Sequence, residues 1–259
     1  MLKNYFKTAF RNLLHNKVYS FINIAGLSLG LACAMLIILY VKDEVSYDRF
    51  HKKSAQVFQV VRKLVTVDGS FVASDAYTGY PQGPQFSQNI PEINGFTRLQ
   101  NGQRDIQKGT DVQSQPVLYV DSNFFSVFTF PLLEGSTQTA LLNSHSIVIT
   151  EELAKKQFGN ADALNKIIML KGDSTFEPFV VTGIAKNCPQ NSSIKFDAVL
   201  PIQVAKKEEY SGDAWLNVFL HTFVVLNTNA DVKQVEAKMK KVFDASAGQS
   251  MKLAKEKYD

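Results

Sequence analysis

Residues 18–41 read VYSFINIAGLSLGLACAMLIILYV, a stretch without one charged side chain. At about 1.5 Å per residue, a helix of this length exceeds the roughly 30 Å hydrocarbon core of a bilayer. Its polar members are Ser20, Asn23 and Ser28, and Tyr19 and Tyr40 stand near the ends, where interfacial aromatics belong. A core helix of a soluble domain rarely runs this long uncharged. A cleaved secretory signal has an apolar core of only about 7–15 residues and a small-residue cleavage site. Here the run closes on Leu39-Tyr40-Val41-Lys42, a poor site. A lipid-modified Cys33 would open a polar mature chain, yet Ala34 to Leu39 are apolar. The stretch is therefore read as a retained transmembrane helix. Gly26 and Gly30 form a G-x-x-x-G pair within a ridge of small residues, a pattern that lets another membrane helix approach closely. Glycine is also simply common in such helices.

Charge is placed unevenly around this span. Residues 1–17 carry Lys3, Lys7, Arg11 and Lys17 and no acid, whereas Asp43 and Glu44 follow the span directly. The basic side is expected to stay in the cytoplasm, which puts residues 42–259 outside it. Within residues 1–17, Leu2, Phe6, Phe10, Leu13 and Leu14 recur at steps of three and four, and Lys3, Lys7 and Arg11 take another side. This predicts an amphipathic helix on the inner membrane surface, serving either as a basic anchor or as a docking helix for a cytoplasmic partner.

Residues 54–259 hold 20 basic and 21 acidic side chains, so the net charge of +4 belongs to the membrane end. A near-neutral domain lacks the basic face that nucleic-acid binding requires. Two cysteines, Cys33 in the span and Cys188 far along the domain, leave the redox compartment unread.

The outer segment alternates strand and helix signals. Val57–Val67 reads as a strand, with Asp68-Gly69 turning it back into Ser70–Ser74. A short helix is expected up to Asn89. Phe96–Gln107 and Gln115–Val120 form a second pair, and Lys166–Leu170 with Phe176–Ile184 a third. Between them Ser146–Thr150 is a strand whose Thr150 caps a helix opening on Glu151-Glu152 and stopping at Gly159. Further expectations are a short helix carrying Phe124, Phe125 and Phe128, strands at Lys195–Leu200 and His221–Asn227, and helices over Gln203–Tyr210 and Asp231–Ala245. The pattern predicts an α+β domain of mixed strand pairs and short helices, in one or two subdomains, on a single N-terminal transmembrane helix. The divisions are 1–17, 18–41 and 42–259.

No catalytic constellation accompanies this frame. There is no phosphate-binding loop, so ATP hydrolysis is not expected of this chain. His15, His51, His145 and His221 are isolated and no Cys-x-x-Cys occurs, so neither a metal site nor a cofactor is expected. Ser144-His145-Ser146 precedes a strand and reads as a turn. Glu151-Glu152 and Glu208-Glu209 are adjacent on helices and diverge.

The order of segments carries more than any one of them. Leu2-Lys3-Asn4-Tyr5-Phe6-Lys7 and Arg11-Asn12-Leu13 open the chain; Tyr19-Ser20-Phe21-Ile22-Asn23 and Gly26-Leu27-Ser28-Leu29-Gly30 follow; Asp43-Glu44-Val45-Ser46-Tyr47-Asp48-Arg49-Phe50-His51 comes next. Val120-Asp121-Ser122-Asn123-Phe124-Phe125, Phe128-Thr129-Phe130-Pro131-Leu132-Leu133-Glu134-Gly135, Ser146-Ile147-Val148-Ile149-Thr150-Glu151, Ala154-Lys155-Lys156-Gln157-Phe158-Gly159 and Val181-Thr182-Gly183-Ile184 complete the set. In this order the chain resembles the N-terminal part of an ABC-transporter permease of the MacB/FtsX-like type. The resemblance implies a bacterial inner-membrane protein with a periplasmic core domain, paired as a homodimer or pseudo-dimer. It also implies a separate cytoplasmic ATPase whose closure is relayed outward by mechanotransmission, and envelope partner proteins. It gives Lys3, Phe6, Lys7, Phe10 and Arg11 a coupling role beside their anchoring one. No further span appears by Asp259, so a longer permease with more membrane helices is expected. The alternative is a single-span sensor or binding protein with an outer recognition domain.

Overall fold

The computed structural model describes residues 2–66, 68–172, 174–205 and 215–258. They fall into two compact units, residues 1–48 and 49–259.

The first unit is helical. Helix α1 spans Leu2–His15 and α2 spans Lys17–Glu44, separated at Asn16 (φ −104°, ψ 60°). The absence of proline and charge from residues 18–41 lets α2 run unbroken, and its large apolar side chains are exposed along its whole length.

The second unit is an α+β domain built on a ten-stranded mixed sheet. Its strands are β1 (Val57–Gln59), β4 (Thr78–Gly79), β5 (Ile93–Lys108), β6 (Asp111–Val120), β7 (Leu132–Gly135), β8 (Ser146–Thr150), β9 (Ile167–Lys171), β10 (Phe176–Ala185), β11 (Ala198–Pro201) and β12 (Val218–Leu226). A separate hairpin pairs β2 (Arg62–Val65) with β3 (Phe71–Asp75). Five further elements are helices: α3 (Gln82–Asn89), α4 (Phe124–Val127), α5 (Glu151–Phe158), the 3-10 turn Ile202–Val204 and α6 (Val232–Tyr258).

Six strands close on themselves. Strand β5 pairs with β6, β6 with β11, β11 with β8, β8 with β10 and β10 with β9, and β9 returns to β5 through Ile106↔Leu170 and Gln107↔Met169. Side chains alternate across a strand, and the inward set is apolar: Val117 and Tyr119, Ile147 and Ile149, Ile168 and Leu170, Phe179 and Val181, Ala198 and Leu200. The outward set on β6, β8 and β11 (Leu118, Val120, Val148, Val199) is buried under a second layer, where Phe124, Phe125, Phe128, Phe130 and Phe196 pack together. Strand β8 is thus buried on both faces, which explains the unbroken apolar run Ile147-Val148-Ile149. A third cluster seats Phe86 of α3 and Val235 of α6 against Ile93 and Val224.

Local chemistry sets the corners. Thr150 caps α5, its Oγ1 accepting from the Leu153 N–H at 3.2 Å. Gly135 adopts φ +90° where β7 meets β10, and a Cβ there would lie 2.8 Å from the Gly183 Cα. Arg98 joins the start of β5 to the end of β6. Its Nε and Nη2 donate to Asp121 at 2.9 and 2.7 Å, its Nη1 donates to the Tyr80 carbonyl, and its guanidinium lies 4.1 Å from the Tyr80 ring centre. Burial disfavours the Arg98 charge, but the Asp121 hydrogen bonds and charge outweigh it and hold its pKa above the ordinary value.

Four expectations shift. The single strand expected over Val57–Val67 breaks at Val60, which turns inward and donates its N–H to Thr222. Val57–Gln59 therefore joins the main sheet and Arg62–Val65 the hairpin. The strand expected from Lys195 begins at Ala198, because Lys195 turns back to hydrogen-bond the Gln190 carbonyl at 2.9 Å. Of the helix expected over Gln203–Tyr210, only the short 3-10 turn is found, and residues 206–210 lie outside the described residues. Helix α6 runs past Ala245 to Tyr258; the added segment has no proline, and its one glycine, Gly248, costs only about 1 kcal/mol against alanine.

Asp197 precedes β11, and its backbone carbonyl accepts from the Thr150 N–H at 2.9 Å. Burial, then the charge of Glu152, raises the pKa of its carboxyl group.

Two outcomes test these contacts. The Arg98–Asp121 pair is nearly enclosed (7% and 15% exposed side chains), so Arg98→Met leaves an uncompensated buried carboxylate. Urea unfolding of the detergent-solubilised chain, followed by Trp215 fluorescence, should show a loss of about 3–5 kcal/mol. Lys240→Ala breaks only an exposed pair with Asp244 and should change stability by less than about 0.5 kcal/mol. The second outcome concerns pH. Unfolded Asp197 ionises near about 3.9, and the folded group ionises at a higher pH. Its contribution is therefore complete below that value and lost as pH rises through the folded pKa. Asp197→Asn should gain stability over the parent chain as pH is raised from about 4 toward 7; equal unfolding midpoints at both ends would contradict this reading.

Candidate membrane anchor and coupling joint

In the first unit, α1 presents Phe6 (79% exposed), Phe10 (65%), Leu13 and Leu14 to the surroundings. Their spacing of three and four places them on one side of the helix. Lys7 and Arg11 are exposed as well, and the Lys3 side chain lies outside the described residues. The residues grouped as a coupling helix thus share one exposed element with an apolar face and a basic flank.

The break at Asn16 makes an elbow between α1 and α2. Backbone hydrogen bonds continue on both sides, Asn16 N–H to the Asn12 carbonyl at 3.1 Å and Ser20 N–H to the Asn16 carbonyl at 2.9 Å. Ser20 is buried in this elbow, beside a cavity of about 470 Å³ lined by Asn12, Asn16, Tyr19, Asn23 and Leu27 among others. Gly26 and Gly30 lie farther along α2, and nothing stands within 4 Å of where a Cβ would be at either.

The second unit begins with a joint that the sequence reading passed over. His51 is buried (6% exposed) between Phe50, Phe128 and Phe130, with ring centres 4.1, 5.1 and 5.2 Å away. Its Nδ1 accepts the Thr129 N–H at 2.9 Å. Lys52 N–H donates to Thr129 Oγ1 at 2.9 Å, and Lys53 Nζ donates to the Ser126 carbonyl at 2.8 Å. Three consecutive residues are thereby tied to α4 and the loop that follows it, a few positions beyond the end of the apolar helix. The available signal was Phe50-His51 following a charged stretch, which placed an aromatic pair where a polar linker would be expected.

The remaining chemistry-bearing residues stay apart. Ser144 Oγ lies 3.2 Å from His145 Nδ1 in an exposed turn, and the other face of the imidazole arrangement is Phe179, with ring centres 5.3 Å apart. Glu151 and Glu152 open α5 and contact Asn187 from different sides, through Glu151 Oε1 and the Glu152 N–H. Glu208 and Glu209 lie outside the described residues. Burial raises the Cys188 thiol pKa, which lowers its thiolate fraction. Among the described residues no group of three histidine, cysteine or acidic side chains is placed to hold a metal.

Comparison with known proteins adds the family. The model of the MacB-like periplasmic core domain matches residues 20–242, from inside α2 to within α6. No curated protein matches the chain. Among solved structures, a domain assigned to a permease protein of Porphyromonas gingivalis aligns with TM-score 0.63 at 22% identity, covering 74% of this chain and 82% of that one. The periplasmic region of MacB from Actinobacillus actinomycetemcomitans aligns with TM-score 0.53 at 14% identity, over 76% and 86% of the two chains. The extracellular domain of the noncanonic ABC-type transporter YknZ from Gram-positive bacteria aligns with TM-score 0.54 at 13% identity, over 74% and 95%. At these identities the structures establish a shared fold, and the family match covers most of the sequence. The chain belongs to the family of MacB-like periplasmic core domains, found in ABC-transporter permease-type proteins, and carries its core domain behind an N-terminal apolar helix.

Proposed function

We propose that this chain serves as a permease subunit of a MacB/FtsX-like ABC transporter, acting with a separate cytoplasmic ATPase. The observation that carries the reading is the continuity of the family match, which begins inside the apolar helix and runs through the outer domain. In this scheme residues 1–17 lie on the cytoplasmic face of a bacterial inner membrane, 18–41 span it and 42–259 form the periplasmic core. The charge asymmetry supports that orientation, with four basic residues before the span and Asp43-Glu44 after it. Two permease chains, identical or related, pair in the membrane, with Gly26 and Gly30 permitting close helix contact. Movement driven by ATP hydrolysis passes along α2 to Phe50–Lys53 and into the core, where it acts on a substrate or an envelope partner. Lys7, Arg11, Phe6 and Phe10, together with Lys3, give α1 the means to hold the membrane surface and meet the ATPase.

Affinity purification of the full chain from its native membranes should recover an ABC ATPase and ATP turnover. Recovery of no ATPase would remove the reading. In the recovered complex, Gly30→Leu should lower ATP turnover several-fold while leaving the outer-domain melting temperature unchanged, because a bulky residue separates packed helices without touching the core. Orientation has its own measurement. In spheroplasts, a membrane-impermeant maleimide should label Gln138→Cys, introduced on a Cys188→Ser background, without lysis. Labelling that requires lysis reverses the topology.

A further inference from the structure

Strands β5 and β12 pair with His221 opposite Leu99, so these residues share one face of the sheet. Two positions along β5, Asn101 continues that face, while Phe219 stands at a bulge of β12, where Val218 and Leu220 face the neighbouring Gly79 and Thr78. Leu99 is covered by the aromatic layer around Phe124, whereas Asn101 and Phe219 reach beyond it to an open cavity of about 340 Å³. Tyr77, Gln100, Val218 and His221 complete its lining. That volume falls at the small end of the range for ligand sites, about 300–1,000 Å³.

The wall is held in place. Asp75 accepts the Tyr77 N–H at 3.1 Å through Oδ1 and an Arg62 Nη2 hydrogen bond at 2.6 Å through Oδ2. The Tyr77 ring then lies tilted on His221, with centres 4.8 Å apart, and Tyr77 stays 46% exposed. Gln59 Nε2 stands 3.3 Å from His221 Nδ1.

The lining combines three rings with the amides of Gln100 and Asn101 and contains no charged side chain. A phosphate, carboxylate or ammonium group entering here would lose hydration with no countercharge in the wall. A ligand made of hydroxyls and C–H faces meets the opposite situation. Amides offer donors and acceptors together, as hydroxyls require, and ring faces accept the apolar side of a sugar. We propose that this cavity is a binding site for an uncharged saccharide, with Tyr77 as the stacking platform and Asn101 as a hydroxyl-recognising amide. The site stands on its own walls and does not depend on the permease reading, so failure to recover an ATPase leaves it untouched.

The test is isothermal titration of the detergent-solubilised full chain with chitotriose and maltotriose, with glucose 6-phosphate and glucosamine as charged probes. At least one neutral trisaccharide should bind with a Kd of about 1 mM or tighter. Tyr77→Ala and Asn101→Ala should each weaken that binding at least about tenfold, while Tyr77→Phe, which keeps the ring, stays within about threefold. Asn101 is exposed, so Asn101→Ala decides the matter should Tyr77→Ala not fold. The proposal is overturned where neither neutral sugar binds, where binding survives Asn101→Ala unchanged, or where the charged sugars bind as tightly as the neutral ones.

Discussion

The two-residue pairing of β9 with β5 is the contact on which the second unit depends. Without it, β9 is the end of a short hairpin with β10 and the sheet has a free edge at β5. With it, six strands share their hydrogen bonds around a ring, and none of the six is left as an unpaired edge there. Arg104 secures the seam from β5: its Nη1 donates to the Lys171 carbonyl at 2.8 Å at the end of β9, and its Nη2 donates to the Val204 carbonyl in the 3-10 turn. A guanidinium is suited to this because its several donors point in fixed directions from one plane. The inward alternation on all six strands then follows. A one-residue slip on β9 or β10 would bring outward residues such as Lys171 and Thr182 into the ring and open the core.

The outward face shows how the ring is connected to the rest of the chain. Leu118, Val120, Val148 and Val199 are apolar because the ring is only the middle layer. Phe124 is fully buried and sits 5.1 to 6.2 Å from the ring centres of Phe125, Phe128, Phe130 and Phe196. Such aromatic pairs contribute about 0.5–1.5 kcal/mol each beyond the area they bury. The same cluster receives Phe50 and His51. The residues that hold the ring's outer layer thus also pack on Phe50 and His51, which follow the apolar helix in the chain.

Much of this was legible in residues 18–41, because an uncharged run longer than a bilayer has few other uses. The hairpins were legible where turn chemistry is local: Asp68-Gly69 and Lys108-Gly109 mark their turns, with Gly69 at φ +86° and Gly109 at φ +61°. Thr150-Glu151 marked its helix for the same reason, since a cap is a contact between near neighbours. Ring closure was not legible, because Ile106↔Leu170 joins positions far apart and nothing in either strand names its second partner. The division at Val60 was hidden likewise: two valines in succession fit one strand as well as a corner between two. Of the candidate site residues, Phe6, Phe10, Lys7 and Arg11 could be grouped from spacing alone. His51 could not, since it gains its meaning from Thr129 and the two rings of Phe128 and Phe130 brought to it by the fold.

Exposure separates the two units by the solvent each requires. In the second unit the large apolar side chains are mostly enclosed, and the charged ones are nearly balanced. In α2 the order is reversed: Leu27, Leu29, Leu36, Ile37 and Leu39 are all more than half exposed, on a backbone that is helical from Lys17 to Glu44. Water would penalise so large a continuous apolar surface. Hydrocarbon would not, and it would demand the internal backbone satisfaction that a helix supplies. The asparagines mark where this regime begins. Asn12 and Asn16 stand at the elbow and Asn23 one to two turns into α2, all lining the same cavity, while no polar amide follows before the helix ends. An amide tolerates an interface and resists a hydrocarbon interior unless another group meets it. The order of polar, amphipathic and wholly apolar turns therefore suits passage from an interface into hydrocarbon, with Gly26 and Gly30 in the wholly apolar part.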